Sequence, residues 1–161
     1  MSLPIAPIFG RAGRQQSVSN MALIDQPGRP VVLVIDDDGA VRGSLQFSLE
    51  LEGFETAVYA DADEFFTGGA VPAMACVVVD YILPGLNGLE LVERLRAEGS
   101  ACPAILITSQ PKASVRRKAA QLDVTIIEKP LLGNALVEEI KRSLETLSDR
   151  LVPVKALGSK A

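Results

Sequence analysis

Residues 31–38 read Val-Val-Leu-Val-Ile-Asp-Asp-Asp, and this segment indicates the fold class. Its apolar part is a continuous run of β-branched and aliphatic residues that is too short for a core helix. Such a run is typical of a strand that is covered on both faces of a parallel sheet. The three carboxylates that follow immediately predict that reactive polar side chains lie at the end of this strand.

The same alternation of a short apolar run and a helical pattern continues to the end of the chain. The apolar runs predict further strands at 54–59, 76–79, 104–107 and 124–127. Helices are predicted from Val41 to Gly53, after a capping box at 61–64, between Asn87 and Gly99, at 112–121, and along the stripe Leu136, Val137, Ile140, Leu144 and Leu147. Five strands alternating with five helices predict a parallel sheet with helices on both faces.

The length of 161 residues predicts one domain with a modest remainder. Residues 1–30 are rich in Gly, Pro, Ser and Gln, and we expect them to form a mobile arm. Met21 lies within this arm and is a candidate for the physiological start. The domain itself is predicted at 31–148, with a short tail at 149–161 and no output domain after it.

The composition excludes several kinds of chemistry. The chain has no histidine, which rules out a Ser-His-Asp triad, a His-ligated metal and a phosphohistidine of its own. The net charge of −4 argues against nucleic acid as the main partner, and the run Arg116-Arg117-Lys118 is interpreted as a solvated helix face.

The predicted compartment is the cytoplasm. Cys76 and Cys102 both lie in apolar, strand-like surroundings, where buried free thiols are usual and a disulfide is not. The apolar opening at 3–9 is short and is broken by two prolines. The sequence therefore predicts neither a signal peptide nor contact with a membrane.

Reactive side chains follow the predicted strands at the points where the strands end. Asp36, Asp37 and Asp38 follow the first strand, Asp80 the third, Thr108 the fourth and Lys129 the fifth. Parallel strands end at one edge of the sheet, so we expect these groups to converge there. Converging carboxylates repel one another unless a cation lies between them, and hard oxygen donors without imidazole or thiolate favour Mg²⁺.

These groups suit the transfer of a phosphoryl group to an aspartate. A carboxylate such as that of Asp80 can attack phosphorus and carry the phosphoryl group. The charge on the transferring oxygens would be stabilised by the metal, by the Lys129 ammonium and by the Thr108 hydroxyl.

The sequence resembles the receiver domains of two-component response regulators from about residue 31 to 147. Four motifs carry the resemblance: Val-Leu-Val-Ile-Asp-Asp-Asp at 32–38, Val-Val-Val-Asp-Tyr-Ile-Leu-Pro-Gly-Leu-Asn-Gly at 77–88, Ile-Leu-Ile-Thr-Ser at 105–109 and Ile-Ile-Glu-Lys-Pro at 126–130. The resemblance implies a flavodoxin-like (βα)5 fold, which is a doubly wound parallel sheet with strand order 2-1-3-4-5.

The resemblance also implies residue roles. Asp80 matches the phosphoacceptor, and Thr108 and Lys129 match the residues that bind the phosphoryl group. Asp37 matches a direct Mg²⁺ ligand, Asp36 an acid that reaches the ion through water, and the Ile82 carbonyl the third protein ligand. Pro130 matches a proline that commonly follows a cis peptide bond. Asp38 matches a variable acidic position that tunes charge.

The partners that the resemblance implies are proteins. The phosphodonor would be a histidine kinase or a histidine phosphotransfer protein, and the signal would pass to an unknown target by phosphorylation-dependent binding. The chain would catalyse only its own phosphorylation and dephosphorylation, so it is not predicted to be an enzyme acting on other substrates.

The sequence departs from the family pattern in three places. Ile126 stands where the family usually has a Tyr or Phe whose rotation follows the threonine. Residues 121–123, Gln-Leu-Asp, replace a small turn that contains glycine, which leaves the geometry of that turn open. Ile82 and Gln110 flank the site, and we hypothesise that the apolar Ile82 slows the attack of water on the phosphoaspartate.

Two alternatives remain at this point. A degenerate receiver would act as an interaction module without phosphate, which the missing aromatic favours and the intact acidic residues oppose. A Mg²⁺-dependent hydrolase of the haloacid dehalogenase type is compatible with Asp36-x-Asp38 but lacks a later acidic pair and a cap insertion.

Overall fold

A computed structural model describes residues 30–151, and within them a single parallel sheet forms the centre of the molecule. Its strands are β1 (Val31–Ile35), β2 (Glu55–Tyr59), β3 (Ala75–Asp80), β4 (Ala104–Thr108) and β5 (Val124–Glu128). They pair in the order β2-β1-β3-β4-β5, all in parallel. The predicted flavodoxin-like fold and its strand order are confirmed.

Helices cover both faces of the sheet. They are α1 (Gly39–Leu51), α2 (Ala62–Thr67), α3 (Gly88–Ala97), α4 (Ala113–Gln121) and α5 (Ala135–Leu151). One core cluster lies between the sheet and α2, α3 and α4, and the other lies between the sheet and α1 and α5. No helix among residues 30–151 is both long and apolar enough to cross a membrane.

The continuous apolar character of β1 follows from its position in the middle of these two cores. Val31, Leu33 and Ile35 point into the core under α2, α3 and α4, whereas Val32 and Val34 point into the core under α1 and α5. All five side chains are at most 1% exposed. Alternate residues of a strand face opposite sides, so a strand buried on both faces needs no polar residue in its run.

Side-chain caps begin three of the helices. Asp38 accepts hydrogen bonds from the Ala40 and Val41 N–H groups at the start of α1. Asn87 and Glu90 form the full reciprocal capping box predicted for α3. At α2 the predicted box is only half correct, because the Glu64 carboxylate accepts from the Ala60 N–H, one residue before the cap.

The last helix is longer than predicted. The apolar stripe predicts a last helix that stops before a tail at 149–161, but α5 continues to Leu151. Leu151 keeps the four-residue spacing from Leu147, and no glycine or proline interrupts the chain before Pro153, so nothing ends the helix at 148. Residues 1–29 and 152–161, including Met21, lie outside the described residues.

The turn between α4 and β5 keeps a left-handed residue although it lacks glycine. Asp123 has a φ of 56°, and its N–H donates to the Ala120 carbonyl at 3.2 Å. Aspartate is among the few residues that enter this region without severe strain. An aspartate therefore fills the position that the sequence analysis left open.

The two cysteines are free thiols, as predicted. Cys76 belongs to the core under α1 and α5, and Cys102 belongs to the core on the opposite face. Burial raises the pKa of both thiols, that of Cys102 to about 12. Both groups are therefore neutral and unreactive near neutral pH.

Close packing leaves no room for a side chain at Gly88, the first residue of α3. A Cβ atom there would lie 2.5 Å from the Asp80 carbonyl oxygen and 2.8 Å from Leu106 Cδ1. Gly43, in the exposed part of α1, has nothing within 4 Å of the same hypothetical atom. The two glycines therefore form a matched pair.

We expect Gly88→Ala to lower the free energy of unfolding by about 1–3 kcal/mol, because the backbone of β3 must move. Gly43→Ala should raise it by up to about 1 kcal/mol, since alanine is the better helix former. Urea denaturation of both variants is the test. Equal stability of the two variants would contradict the close approach of α3 to β3.

Candidate functional site at the carboxyl edge of the sheet

The strand ends bring the predicted groups together. Asp36 follows β1 directly, Asp80 and Thr108 are the last residues of β3 and β4, and Lys129 follows β5. The chain goes from β1 to β2 on one side and to β3 on the other, so the strand order reverses between β1 and β3. Asp36 and Asp80 lie at this reversal, which is where open α/β sheets bind ligands.

Three carboxylates form a compact cluster at this edge. One oxygen of each of Asp36, Asp37 and Asp80 lies within 4.8 Å of the others. Asp36 and Asp80 are 3% and 8% exposed, whereas Asp37 is exposed to solvent. Oxygen donors at this spacing, with no imidazole or thiolate beside them, fit a hard divalent cation such as Mg²⁺.

Asp36 is held by hydrogen bonds in a buried position that disfavours the charge of its carboxylate. The Asp38 N–H donates to Asp36 Oδ1 at 2.9 Å, and Arg42 donates to the Asp36 carbonyl at 2.8 Å. Burial raises the pKa of the Asp36 carboxyl, and the charges of Asp80 and Asp37 raise it further. The Asp38 hydrogen bond and the Lys129 charge lower it but do not compensate.

Lys129 is the cation that faces the cluster. Its Nζ lies 3.0 Å from Asp80 Oδ1, and its side chain is 33% exposed. Its backbone N–H donates to the Thr108 carbonyl at 2.9 Å, which ties the end of β5 to the end of β4. The Lys129–Pro130 peptide bond is cis, as predicted.

Thr108 lies beside Asp80 in the wall of a cavity of about 250 Å³. The threonine is buried, and Ile82 on the same cavity is 72% exposed. Gln110 lines it as well and has a φ of 45°, in the left-handed region. The cavity therefore opens directly onto the carboxylate that the sequence analysis placed at the centre of the chemistry.

Sequence reasoning missed residues that depend on tertiary approach. Arg42 fixes the Asp36 carbonyl, Gly88 allows α3 to meet the end of β3, and Tyr81 lines the cavity beside Asp80. The only signal for Arg42 is its place one turn into α1. The glycine directly after the capping Asn87 was the signal for Gly88.

Comparison with known proteins gives one consistent family. The family model for the response regulator receiver domain matches residues 32–141. The transcriptional regulatory protein FixJ of Bradyrhizobium diazoefficiens is 34% identical over 114 residues, which are 70% of this chain and 56% of FixJ. The chain belongs to the response regulator receiver domain family.

Solved structures agree with this assignment. The crystal structure of the FixJ N-terminal part aligns with a TM-score of 0.66 and 28% identity, over 72% of this chain and 94% of that one. A CheY-like receiver domain protein from Methanospirillum hungatei aligns with a TM-score of 0.70 and 25% identity, over 76% and 99%. The family match favours the receiver over the dehalogenase-type alternative.

The receiver chain spans about half the length of the FixJ relative that it matches. That relative is a transcriptional regulator, so the absence of a nucleic-acid partner stays a prediction for this chain. Receiver domains belong to two-component systems, in which they work with histidine kinases.

The raised pKa of Asp36 makes a prediction for stability. Folding favours the protonated carboxyl, so the ionised form lowers stability at a pH above the raised pKa, and this loss disappears as the pH falls below the usual aspartate range. We expect Asp36→Asn to raise the melting temperature at neutral pH by about 2–5 °C in the absence of divalent cations. Asp38→Asn, which removes the same charge but keeps a capping side chain, should have a smaller effect.

Added MgCl₂ should reverse the order of the melting temperatures of the native chain and Asp36→Asn. The native domain should gain stability from the ion in proportion to its binding, and Asp36→Asn should gain less. Thermal unfolding with and without MgCl₂ is the measurement. Equal gains in the two proteins would show that Asp36 takes no part in binding the cation.

Proposed function

We propose that this receiver domain accepts a phosphoryl group on Asp80 from a histidine kinase or a histidine phosphotransfer protein. The reaction is Mg²⁺-dependent, and the signal passes on through phosphorylation-dependent protein binding. The observation that carries the proposal is the position of Asp80. Its buried carboxylate lies 3.0 Å from the Lys129 ammonium and within 4.8 Å of two further carboxylates.

The reaction needs a nucleophile, and Asp80 lines the cavity together with Thr108 and Lys129. A carboxylate oxygen of Asp80 attacks the phosphorus of the donor, and an acyl phosphate forms. The P–N bond of a phosphohistidine donor breaks, and its electron pair stays on the imidazole nitrogen. The chain has no histidine, so the donor must come from another molecule.

Mg²⁺ would be held by Asp37, Asp80 and the Ile82 carbonyl, with Asp36 acting through water. When bound, the ion would neutralise charge on the phosphoryl oxygens. The support in this chain is the donor set itself, because Asp36 and Asp80 are buried near a third acid and the pKa of Asp36 is raised.

Two residues would bind the phosphoryl group from the side of β4 and β5. Lys129 would leave its ion pair with the Asp80 carboxylate and contact a phosphoryl oxygen instead. The Thr108 hydroxyl would donate to another phosphoryl oxygen. The short backbone link between Lys129 and Thr108 supports this joint role, because both side chains then start from one tied pair of strand ends.

The test is an intact-mass measurement on the full chain with acetyl phosphate and MgCl₂. The native protein should gain one phosphoryl group, and Asp80→Asn and a sample with excess EDTA should gain none. Lys129→Gln should be phosphorylated roughly 10²-fold more slowly, since it removes one charge-stabilising donor. Asp63→Asn, an exposed acid in α2, is the matched control and should react like the native chain.

Some receivers take phosphate only from a protein donor, so a beryllofluoride titration in the presence of MgCl₂ accompanies the mass assay. Beryllofluoride mimics a phosphoryl group on an aspartate. If the native chain gains no phosphoryl group and its amide spectrum does not respond to beryllofluoride, the proposal is wrong. The degenerate interaction module would then be the better description.

A further inference from the structure

The cavity beside Asp80 has two walls that belong to different parts of the sheet. Tyr81 and Ile82, which follow β3, form one wall, and the segment from Thr108 to Lys112 with Val115 of α4 forms the other. Its volume of about 250 Å³ is several times the roughly 30 Å³ that a water molecule takes in the liquid. The walls therefore have room to approach each other.

The backbone of Tyr81 is fixed on both sides. Its N–H donates to the Ile107 carbonyl at 2.9 Å, and its carbonyl accepts from the Gly88 N–H at 2.9 Å. Gly88 itself lies against the Asp80 carbonyl too closely for any side chain. The Tyr81 side chain is therefore freer to move than its main chain.

Tyr81 follows the phosphoacceptor directly, lines the cavity together with Val115 of α4, and lies under the surface formed by α3 and α4. It is half-buried and packs against the core under these helices. On that surface Lys118 of α4 binds Glu93 of α3, with Nζ 2.9 Å from Oε2. The hydrogen bond to Glu93 is the main cause that raises the pKa of Lys118, and the nearby Glu90 and Tyr81 add to it.

Two other residues, Ile126 and Tyr59, are less suited to connect Asp80 with the surface of α3 and α4. Ile126 is half-buried against the same core, has no ring and does not line the cavity. Tyr59 is 3% exposed at the end of β2 and packs edge-on against Phe65, with the ring centres 5.2 Å apart. Tyr59 thus serves as an internal control, because the chain has only two tyrosines.

We propose that Tyr81 transmits the phosphorylation of Asp80 to the surface formed by α3 and α4, through displacement of its side chain when the cavity closes. This inference rests on the proposed function. A phosphoryl group on Asp80 offers new acceptor oxygens to Thr108 and to the segment that follows it. These contacts draw that segment towards Asp80, the cavity shrinks, and the Tyr81 ring moves against α4 and the Lys118–Glu93 pair.

The first test uses the full chain labelled with 3-fluorotyrosine and observed by ¹⁹F NMR. Tyr59→Phe and Tyr81→Phe assign the two resonances. With MgCl₂ and saturating beryllofluoride, the Tyr81 resonance should shift by several times its linewidth and the Tyr59 resonance should stay in place. A Tyr81 resonance that does not move while the amide spectrum reports binding would overturn the inference.

The second test asks whether α4 depends on the ring. The amide resonances of Val115 and Lys118 are followed in the native chain and in Tyr81→Leu, both at saturating beryllofluoride, so that a change in affinity does not enter. The shifts of both amides should fall below half their native size in Tyr81→Leu. Tyr81→Phe keeps the ring and should retain them, and the ¹⁹F measurement on the native chain decides the inference if Tyr81→Leu does not fold.

Retention of the native α4 shifts in Tyr81→Leu would show that the signal takes another route. The intact-mass assay on the same native sample separates the two proposals. A native chain that is phosphorylated, with Tyr81 unmoved, refutes only the role of Tyr81. A native chain that neither gains a phosphoryl group nor responds to beryllofluoride refutes the proposed function and this inference with it.

Discussion

The burial of two like charges beside the Lys129 ammonium is the constraint on which the site depends. Asp36 and Asp80 are almost completely buried, a third carboxylate lies within 4.8 Å, and Lys129 is the cation in contact with Asp80. Like charges at such distances repel one another more strongly in a poorly solvated site than in water. The sheet holds them together because β1, β3 and β4, which end next to or at Asp36, Asp80 and Thr108, are buried along their whole length.

The sequence predicts most of the fold because the central strands are continuous apolar runs. A strand that is covered on both faces is apolar along its length, so the runs at 31–35, 76–79 and 104–107 are visible without a structure. The strand ends then predict the site, since parallel strands share one carboxyl edge. Helix ends are weaker signals, and α5 passed its predicted end because no residue at 148 stops a helix.

Residues that act through close approach were not predictable in the same way. The need for glycine at 88 arises from the Asp80 carbonyl of another element, and the place of Tyr81 in the cavity wall arises from the approach of two strand ends. The left-handed conformation of Asp123 was equally hard to predict, because it depends on the turn that joins α4 to β5. Periodicity and capping patterns describe one element at a time and carry no information about such contacts.

The packing of the helices indicates which part of the domain can respond to chemistry at Asp80. The long α5 buries four large apolar side chains, whereas α4 buries only Val115 and Ala119, and its first turn has no side-chain cap. The adjoining β5 is buried fully only at Val124. Elements with few buried contacts open at low free energy, and a coupling of about 1–3 kcal/mol is enough to shift their populations. The contacts that a phosphoryl group would add at Thr108 and Lys129 act at the end of the sheet beside α4 and β5, so we expect the response to begin on the α3–α4 side.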